Sequence, residues 1–180
     1  MQSISIIIAA HNEAQNLQKN LPFILNQQKV DFEVIVVNDR STDGTKELLA
    51  SFTNEKLTVL EIKELPLRST GKKNALTEAI KIAKYENLLF TDADCKPNSE
   101  EWAFQMISKL ENNDLVLGIS QYENNRSFLS EFIQFETLLT AIQYIGFAKI
   151  GFPYMGVGRN IAYKKALFLE NNGFDSHKEI

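Results

Sequence analysis

The decapeptide LLFTDADCKP, Leu88–Pro97, runs from apolar residues straight into two aspartates separated by one alanine. Asp92 and Asp94 repel each other and neither helps a core. The spot is therefore either a solvated turn that tolerates them or a place for something positive. In extended backbone alternate residues point the same way, so both carboxylates can approach one cation or one polyol. Carboxylates are hard oxygen ligands suited to Mg²⁺ or Mn²⁺, ions that bring substrate phosphates into the same shell.

Other residues carry chemistry of the same kind. Asn38–Thr45 reads NDRSTDGT, in which a turn and a helix cap account for Ser41, Asp43 and Gly44. Asp39 is surplus to that role, and a carboxylate there can accept hydrogen bonds from a nucleobase or sugar edge. His11-Asn12-Glu13 reads as a cap and a first-turn acid, which the helix dipole favours. STGKKNAL, Ser69–Leu76, places Lys72 and Lys73 at a helix start, where the dipole disfavours cations. They are either exposed loop lysines or the partners of an anion such as a diphosphate. The stretch is no P-loop, because the G-x-x-x-x-G-K-[ST] spacing is absent. Cys95 has no evident activating group, so it supports no nucleophile.

These residues sit in a chain of 180 residues, room for one substantial domain with a real core. Hydrophobic residues make up 44% and charged ones 23%, the profile of an ordinary globular protein. A net charge of −4 argues against a basic face for nucleic acid or an acidic membrane. An acidic chain that holds a phosphorylated ligand needs helix N-termini or a metal ion. A single cysteine excludes an internal disulfide framework and fits a reducing, cytoplasmic setting. The opening MQSISIIIAAHNE has no basic n-region or cleavage site and reads as a first strand. Phe128–Gly158 comes nearest to a membrane span, but Glu131, Glu136 and Lys149 interrupt it.

Strands are expected at Ile4–Ala10, Phe32–Val37, Leu57–Ile62 and Asn87–Thr91, each a mostly apolar run. Helices are expected between them. The first has Asn12 as its cap and Leu17, Leu21, Ile24 and Leu25 on one face. The second is capped by Ser41 or Thr42 and runs through Leu48, Leu49 and Phe52. A third has Ala75, Ala79, Ile82 and Ala83 inside, and a fourth starts at Ser99 with Trp102, Met106, Ile107 and Leu110 inside. Strands alternating with helices imply an α/β fold with a mostly parallel sheet flanked by helices. In such sheets ligands bind at the carboxyl ends of the strands, where His11–Glu13, Asn38–Arg40, Asp92 and Asp94 collect. Phe128–Phe147 has apolar residues at helical spacing and is expected to pack on the sheet, with a membrane-surface or partner face as the alternative.

The ordered series IIIAAHNE, VIVVNDRSTDGT, GKKNALTEAI and LLFTDADCKP resembles the family 2 glycosyltransferases, which have the Rossmann-like GT-A fold. The family's Y-N-E-like motif is matched by His11-Asn12-Glu13. Its V-D-D-G-S-T-D is matched by Val37–Asp43, with Asn38 and Arg40 as departures. G-K-x-x-A-L-N-x-G is matched from Gly71 to Leu76, with Thr77 where asparagine is usual, and D-x-D falls on Asp92 and Asp94. Gly156–Asp175 resembles the family's later stretch of glycine, basic residues and G-F-D. The resemblance implies one GT-A domain over residues 1–180, with a nucleotide-sugar-binding half at 1–120 and an acceptor-side half at 121–180.

It also implies roles. Asp39 contacts the base; Ala10, Glu13 and Lys72 line the nucleotide pocket; Asp92 lies near the ribose or donor sugar; Asp94 binds the Mn²⁺ or Mg²⁺ that bridges the diphosphate. Gly156–Arg159 sits toward sugar and acceptor. The reaction implied is inverting transfer from a nucleoside-diphosphate sugar, UDP-sugar first, to a glycan or lipid-linked acceptor. The acidic motif that supplies the family's general base does not occur before Ile180, and Asp175 is a weak substitute. The expectation is an N-terminal catalytic fragment of a longer protein that works at the cytoplasmic face of a membrane. Two other readings compete: a non-catalytic nucleotide-sugar-binding module, and a haloacid-dehalogenase-type phosphatase. The phosphatase would need its D-x-D on the first strand and Thr or Val at the position of Lys96.

Overall fold

A computed structural model describes residues 2–66, 70–122 and 127–174. The apolar runs become strands because they have somewhere to go on both faces. In β1 (Ser3–Ala10), Ile4, Ile6 and Ile8 enter one core and Ile7 the other, all fully buried. β2 (Asp31–Asp39) runs parallel to β1 in unbroken register from Ser3↔Asp31 to Ala10↔Asn38. β2 extends past the expected Phe32–Val37, so Asp39 is its last residue and not part of the turn.

The remaining elements, in chain order, are helix α1 (Ala14–Leu25), helix α2 (Thr45–Ser51), strand β3 (Leu57–Ile62), helix α3 (Gly71–Ile82) and strand β4 (Asn87–Thr91). After them come helix α4 (Trp102–Leu110), strand β5 (Leu115–Leu117), helix α5 (Phe128–Lys149), strand β6 (Asn160–Lys164) and helix α6 (Lys165–Glu170). The sheet order is β3-β2-β1-β4-β6-β5, with β1 to β4 parallel and β6 antiparallel to both β4 and β5. The chain steps outward from β1 to β3, then crosses back to place β4 on β1's other side. The carboxyl ends of β1 and β4 thus flank a topological switch point, where open α/β sheets form a crevice.

Helices α1, α2 and α4 cover one face of the sheet, with Leu17, Leu21, Ile24, Leu49, Met106, Ile107 and Leu110 inside. α3 covers the other through Ala75, Ala79 and Ile80, with Phe168 of α6 packed against the same cluster. Ile82, expected inside, is 48% exposed because Ile80 takes the inner position. α4 starts at Trp102, three residues after Ser99, because Gln27 caps it: its side-chain oxygen accepts the Ala103 N–H at 2.9 Å.

The expectation that Phe128–Phe147 packs on the sheet fails. α5 buries only Ala141 and Tyr144, while Phe128 is 87% exposed and Phe132, Phe135, Leu138 and Ile142 are each more than half exposed. Apolar residues circle this helix instead of forming one stripe, so no single contact covers them, and other helices already occupy both sheet faces. Among the described residues, no helix is long and apolar enough to cross a membrane.

Because Ile7 is fully buried in the core between the sheet and α3, Ile7→Ala should cost about 2–5 kcal/mol of unfolding free energy. Urea unfolding of wild type and variant measures the loss.

Candidate functional site

The site is built on two loops that cap each other. A helix start leaves backbone N–H groups with no intrahelical partner. At the start of α1 those partners come from the loop after β2 and the first residue of α2: Glu13 N–H donates to Thr45 Oγ1 at 3.0 Å, and Ala14 N–H to Asp43 Oδ2 at 3.1 Å. In return Asn12, after β1, accepts the Thr42 N–H on its Oδ1 at 2.8 Å and donates its own N–H to Ser41 Oγ at 2.9 Å. His11 joins them through Nδ1, which donates to the Asp39 carbonyl at 2.5 Å and therefore carries the proton. The expected caps are thus exchanged. Asn12 does not cap α1, and neither Ser41 nor Thr42 caps α2, whose N-cap is Gly44 at φ 89°. Sequence spacing sees only local caps, whereas the parallel pairing of β1 and β2 brings their two loops side by side.

These loops and the end of β4 enclose a cleft of about 230 Å³ at the switch point. It is lined by Ala9, Ala10, His11, Glu13, Asp39, Lys72, Asp92, Ala93 and Asp94. Residues from β1, β2, α3 and β4 thus meet in one place, among them all six that the resemblance assigns to the donor. The turn after β4 closes with a Cys95 N–H to Asp92 carbonyl bond of 3.0 Å. Asn20 of α1, 2% exposed, donates to the Ala93 carbonyl at 3.0 Å and fixes that turn from behind. The D-x-D pair follows β4 and not the first strand, so the phosphatase arrangement is absent.

The Glycosyl transferase family 2 profile matches residues 5–168. The chain belongs to that family. This family 2 glycosyltransferase is 30% identical over 151 residues to a poly-beta-1,6-N-acetyl-D-glucosamine synthase of Staphylococcus epidermidis, a match covering 79% of this chain and 35% of the relative. It is 34% identical over 126 residues to a poly(ribitol-phosphate) beta-glucosyltransferase of Bacillus spizizenii, covering 68% of this chain and 20% of that one. In structure it resembles the mannosyltransferase PcManGT of Pyrobaculum calidifontis in complex with GDP-Man and Mn²⁺, at a TM-score of 0.68 and 24% identity, covering 97% of this chain and 48% of that one. The S. aureus TarS 1–349 complex with UDP-GlcNAc matches at a TM-score of 0.65 and 24% identity, with 96% and 48% covered. The fold is GT-A, and the chain spans about a third or less of these curated relatives and about half of these structural neighbours.

Charge in the cleft is distributed unevenly. Arg40 forks onto Asp39, with Nε to Oδ1 at 2.8 Å and Nη2 to Oδ2 at 3.1 Å. The bond to Asp39 pushes the guanidinium's pKa further above its ordinary value. Lys72 pairs with Asp92 at 2.5 Å, so its nearest anion is part of the protein itself. The two side chains are 58% and 32% exposed, and a pair that open to water contributes only about 0–1 kcal/mol. Its consequence is placement, not stability. Asp94 is exposed and, among the described residues, makes no ion pair; its Oδ1 accepts only the Cys95 thiol at 3.4 Å. Burial first, and then Asp94, push that thiol up to about 11, which agrees with the absence of an activated nucleophile.

Sequence reasoning missed Asn20 and Thr45 as site residues, and it placed Arg40 at the strand end without a role. Asn20 carried a signal, being the polar residue on the stripe otherwise formed by Leu17, Leu21 and Ile24. Asp175 lies outside the described residues. Across the strand end, Thr91↔Asn160 is the last β4–β6 pair, and the next residues are Asp92 and Arg159. Arg159 lines a second cavity of about 400 Å³ with Tyr122, Phe132, Glu136 and Tyr144.

The cross-caps can be tested directly. Thr45 is fully buried, so Thr45→Val keeps its shape but leaves the Glu13 N–H unpaired, at a cost of about 1–2 kcal/mol in denaturant unfolding. Asp43 has its pKa lowered from 3.8, first by the Thr45 hydroxyl. A lowered folded pKa means a stabilising contribution that is complete above the unfolded value and fades as pH falls through the folded one. Stability below about pH 4 should therefore fall less steeply with acid in Asp43→Asn than in wild type, as thermal melts across that range would show.

Proposed function

We propose that this glycosyltransferase moves a sugar from a uridine-diphosphate sugar to an acceptor hydroxyl, with inversion at the anomeric carbon and a divalent cation on the diphosphate. The carrying observation is that Ala10, Glu13, Asp39, Lys72, Asp92 and Asp94 line one cleft at the sheet's switch point. UDP is favoured over other nucleotides because TarS is described with UDP and with UDP-GlcNAc, while PcManGT carries GDP-Man.

Asp39 meets the base, Ala10 and Glu13 the nucleoside, and Asp92 the ribose or donor sugar. Lys72 brings its ammonium beside the diphosphate. Among the described residues no three metal-ligating side chains gather on one point. Two carboxylates nonetheless suit Mg²⁺ or Mn²⁺, which take one or two from the protein and complete their shell with phosphate and water. Among the described residues, Asp39 pairs with Arg40 and Asp92 with Lys72, while the cleft's Glu13 and Asp94 make no ion pair. A dication held chiefly by Asp94, with Asp92 beside it, would offset that negative charge. When bound, the cation supplies Lewis-acid stabilisation of charge on the departing diphosphate.

In the transfer the acceptor oxygen attacks the anomeric carbon from the face opposite the diphosphate. The bond from that carbon to the phosphate oxygen breaks, UDP leaves with the electron pair, and the acceptor's proton passes to a general base. The second cavity, with Tyr122, Phe132 and Tyr144 beside Glu136 and Arg159, has the flat apolar faces and charged rim that suit a sugar ring of a glycan or lipid-linked acceptor. One GT-A domain holds both halves, and the whole protein acts at the cytoplasmic face of a membrane.

With UDP-sugar and Mn²⁺, Asp94→Asn should lower transfer roughly 10²–10³-fold and remove the Mn²⁺ dependence of UDP binding, without changing the fold seen by circular dichroism. Transfer at the wild-type rate by that variant would overturn the assignment. Mn²⁺-dependent UDP binding by wild type with no turnover would favour the binding-module reading.

A further inference from the structure

We propose that Arg40 determines nucleobase specificity: with Asp39 it forms a paired acceptor and donor that reads the edge of the base. The inference deepens the donor reading above and rests on it.

The Asp39 side chain is 6% exposed, and a carboxylate can only accept. Arg40 fills one lone pair on each oxygen through Nε and Nη2, which leaves one on each oxygen for a ligand. Of the guanidinium's five donors two are used, and the side chain is 35% exposed, so it keeps unused donors at the rim beside Asp39, which itself lines the cleft. The pair has little slack. A Cβ on Gly71, at the start of α3, would run into the Asp39 carboxylate and stand 2.9 Å from Arg40 Nη2.

The backbone adds an independent argument. Arg40 holds φ 54°, a conformation that favours glycine and disfavours long side chains. Glycine is what the V-D-D-G-S-T-D pattern carries at this position. The simpler role, a counter-charge for a buried carboxylate, would need only a cation, since no fork is required to neutralise Asp39. The fork fixes a plane of donors beside a plane of acceptors.

That arrangement complements a base edge with an N–H beside a carbonyl, as in uracil at N3 and O4 or guanine at N1 and O6. Cytosine presents the reverse, a ring nitrogen that accepts beside an amino group that donates. UDP and CDP share ribose and diphosphate, so they differ only where Arg40 and Asp39 would read.

The experiment is titration calorimetry of UDP and CDP, each with Mn²⁺, on wild type, Arg40→Gly and Arg40→Lys. Wild type should prefer UDP. In Arg40→Gly, which suits the left-handed backbone, the UDP-to-CDP affinity ratio should fall about tenfold. Arg40→Lys should fall similarly, since it keeps the charge and loses the fork, and it carries the same readout if the glycine variant does not fold. An unchanged ratio in either variant, or an equal loss of both nucleotides, would assign Arg40 to charge balance alone and overturn the proposal. Wild type that binds neither nucleotide would overturn the donor reading and this proposal together, whereas a UDP preference intact in both variants sinks only the role of Arg40.

Discussion

The cleft depends on an exchange of caps between the loops after β1 and β2. Unpaired N–H groups at the start of α1 are satisfied by Asp43 and Thr45, and Asn12 satisfies Thr42 in return. Such bonds form only if the two strands end level, which the unbroken Ser3↔Asp31 to Ala10↔Asn38 register ensures. Glu13 sits inside the exchange and Asp39 immediately before it, held by His11. Packing of isoleucines and valines therefore sets the height at which two carboxylates enter the cleft. A slip of one residue would turn every strand side chain to the opposite face, so the hydrophobic pattern indirectly places the chemistry.

Within that frame, environment separates carboxylates of similar chemistry. Asp39 is buried and held by a fork, so it is rigid and directional. Asp92 is half-buried and shares a solvated pair with Lys72, which biases its position at little energetic cost. Asp94 is exposed and makes no ion pair among the described residues, which leaves it for an incoming ion. The rigid acid suits recognition and the open one suits a ligand that arrives with its own charge.

The fold was legible where one kind of interaction dominates. Four apolar runs read as strands and became β1 to β4; β1, β2 and β4 are largely buried on both faces and need no neighbour's identity to be recognised, whereas β3 is a half-exposed edge strand. Phe128–Phe147 was legible as a helix and misread in its packing: helical spacing reveals that residues are apolar but not whether a partner surface remains to receive them. Local caps were misread for a related reason, since Ser, Thr, Asp and Asn satisfy a distant N–H as readily as a nearby one.

The amino-acid order by itself determined that acidic and amide residues follow buried strands, that Asp92 and Asp94 share one turn, and that a parallel sheet collects them at one end. Periodicity and strand-end chemistry are local properties, so they can be read locally. Only the tertiary structure decided that Arg40, and no lysine, is the partner of Asp39, that Lys72 belongs to Asp92, and that Asn20 steadies the turn between the aspartates. The Arg40 fork is a neighbour contact that depends on the local backbone at φ 54°, whereas the Lys72 and Asn20 contacts depend on distances between elements far apart in the chain. The latter exist only once β1, β2 and β4 lie side by side and α1 and α3 pack onto opposite faces.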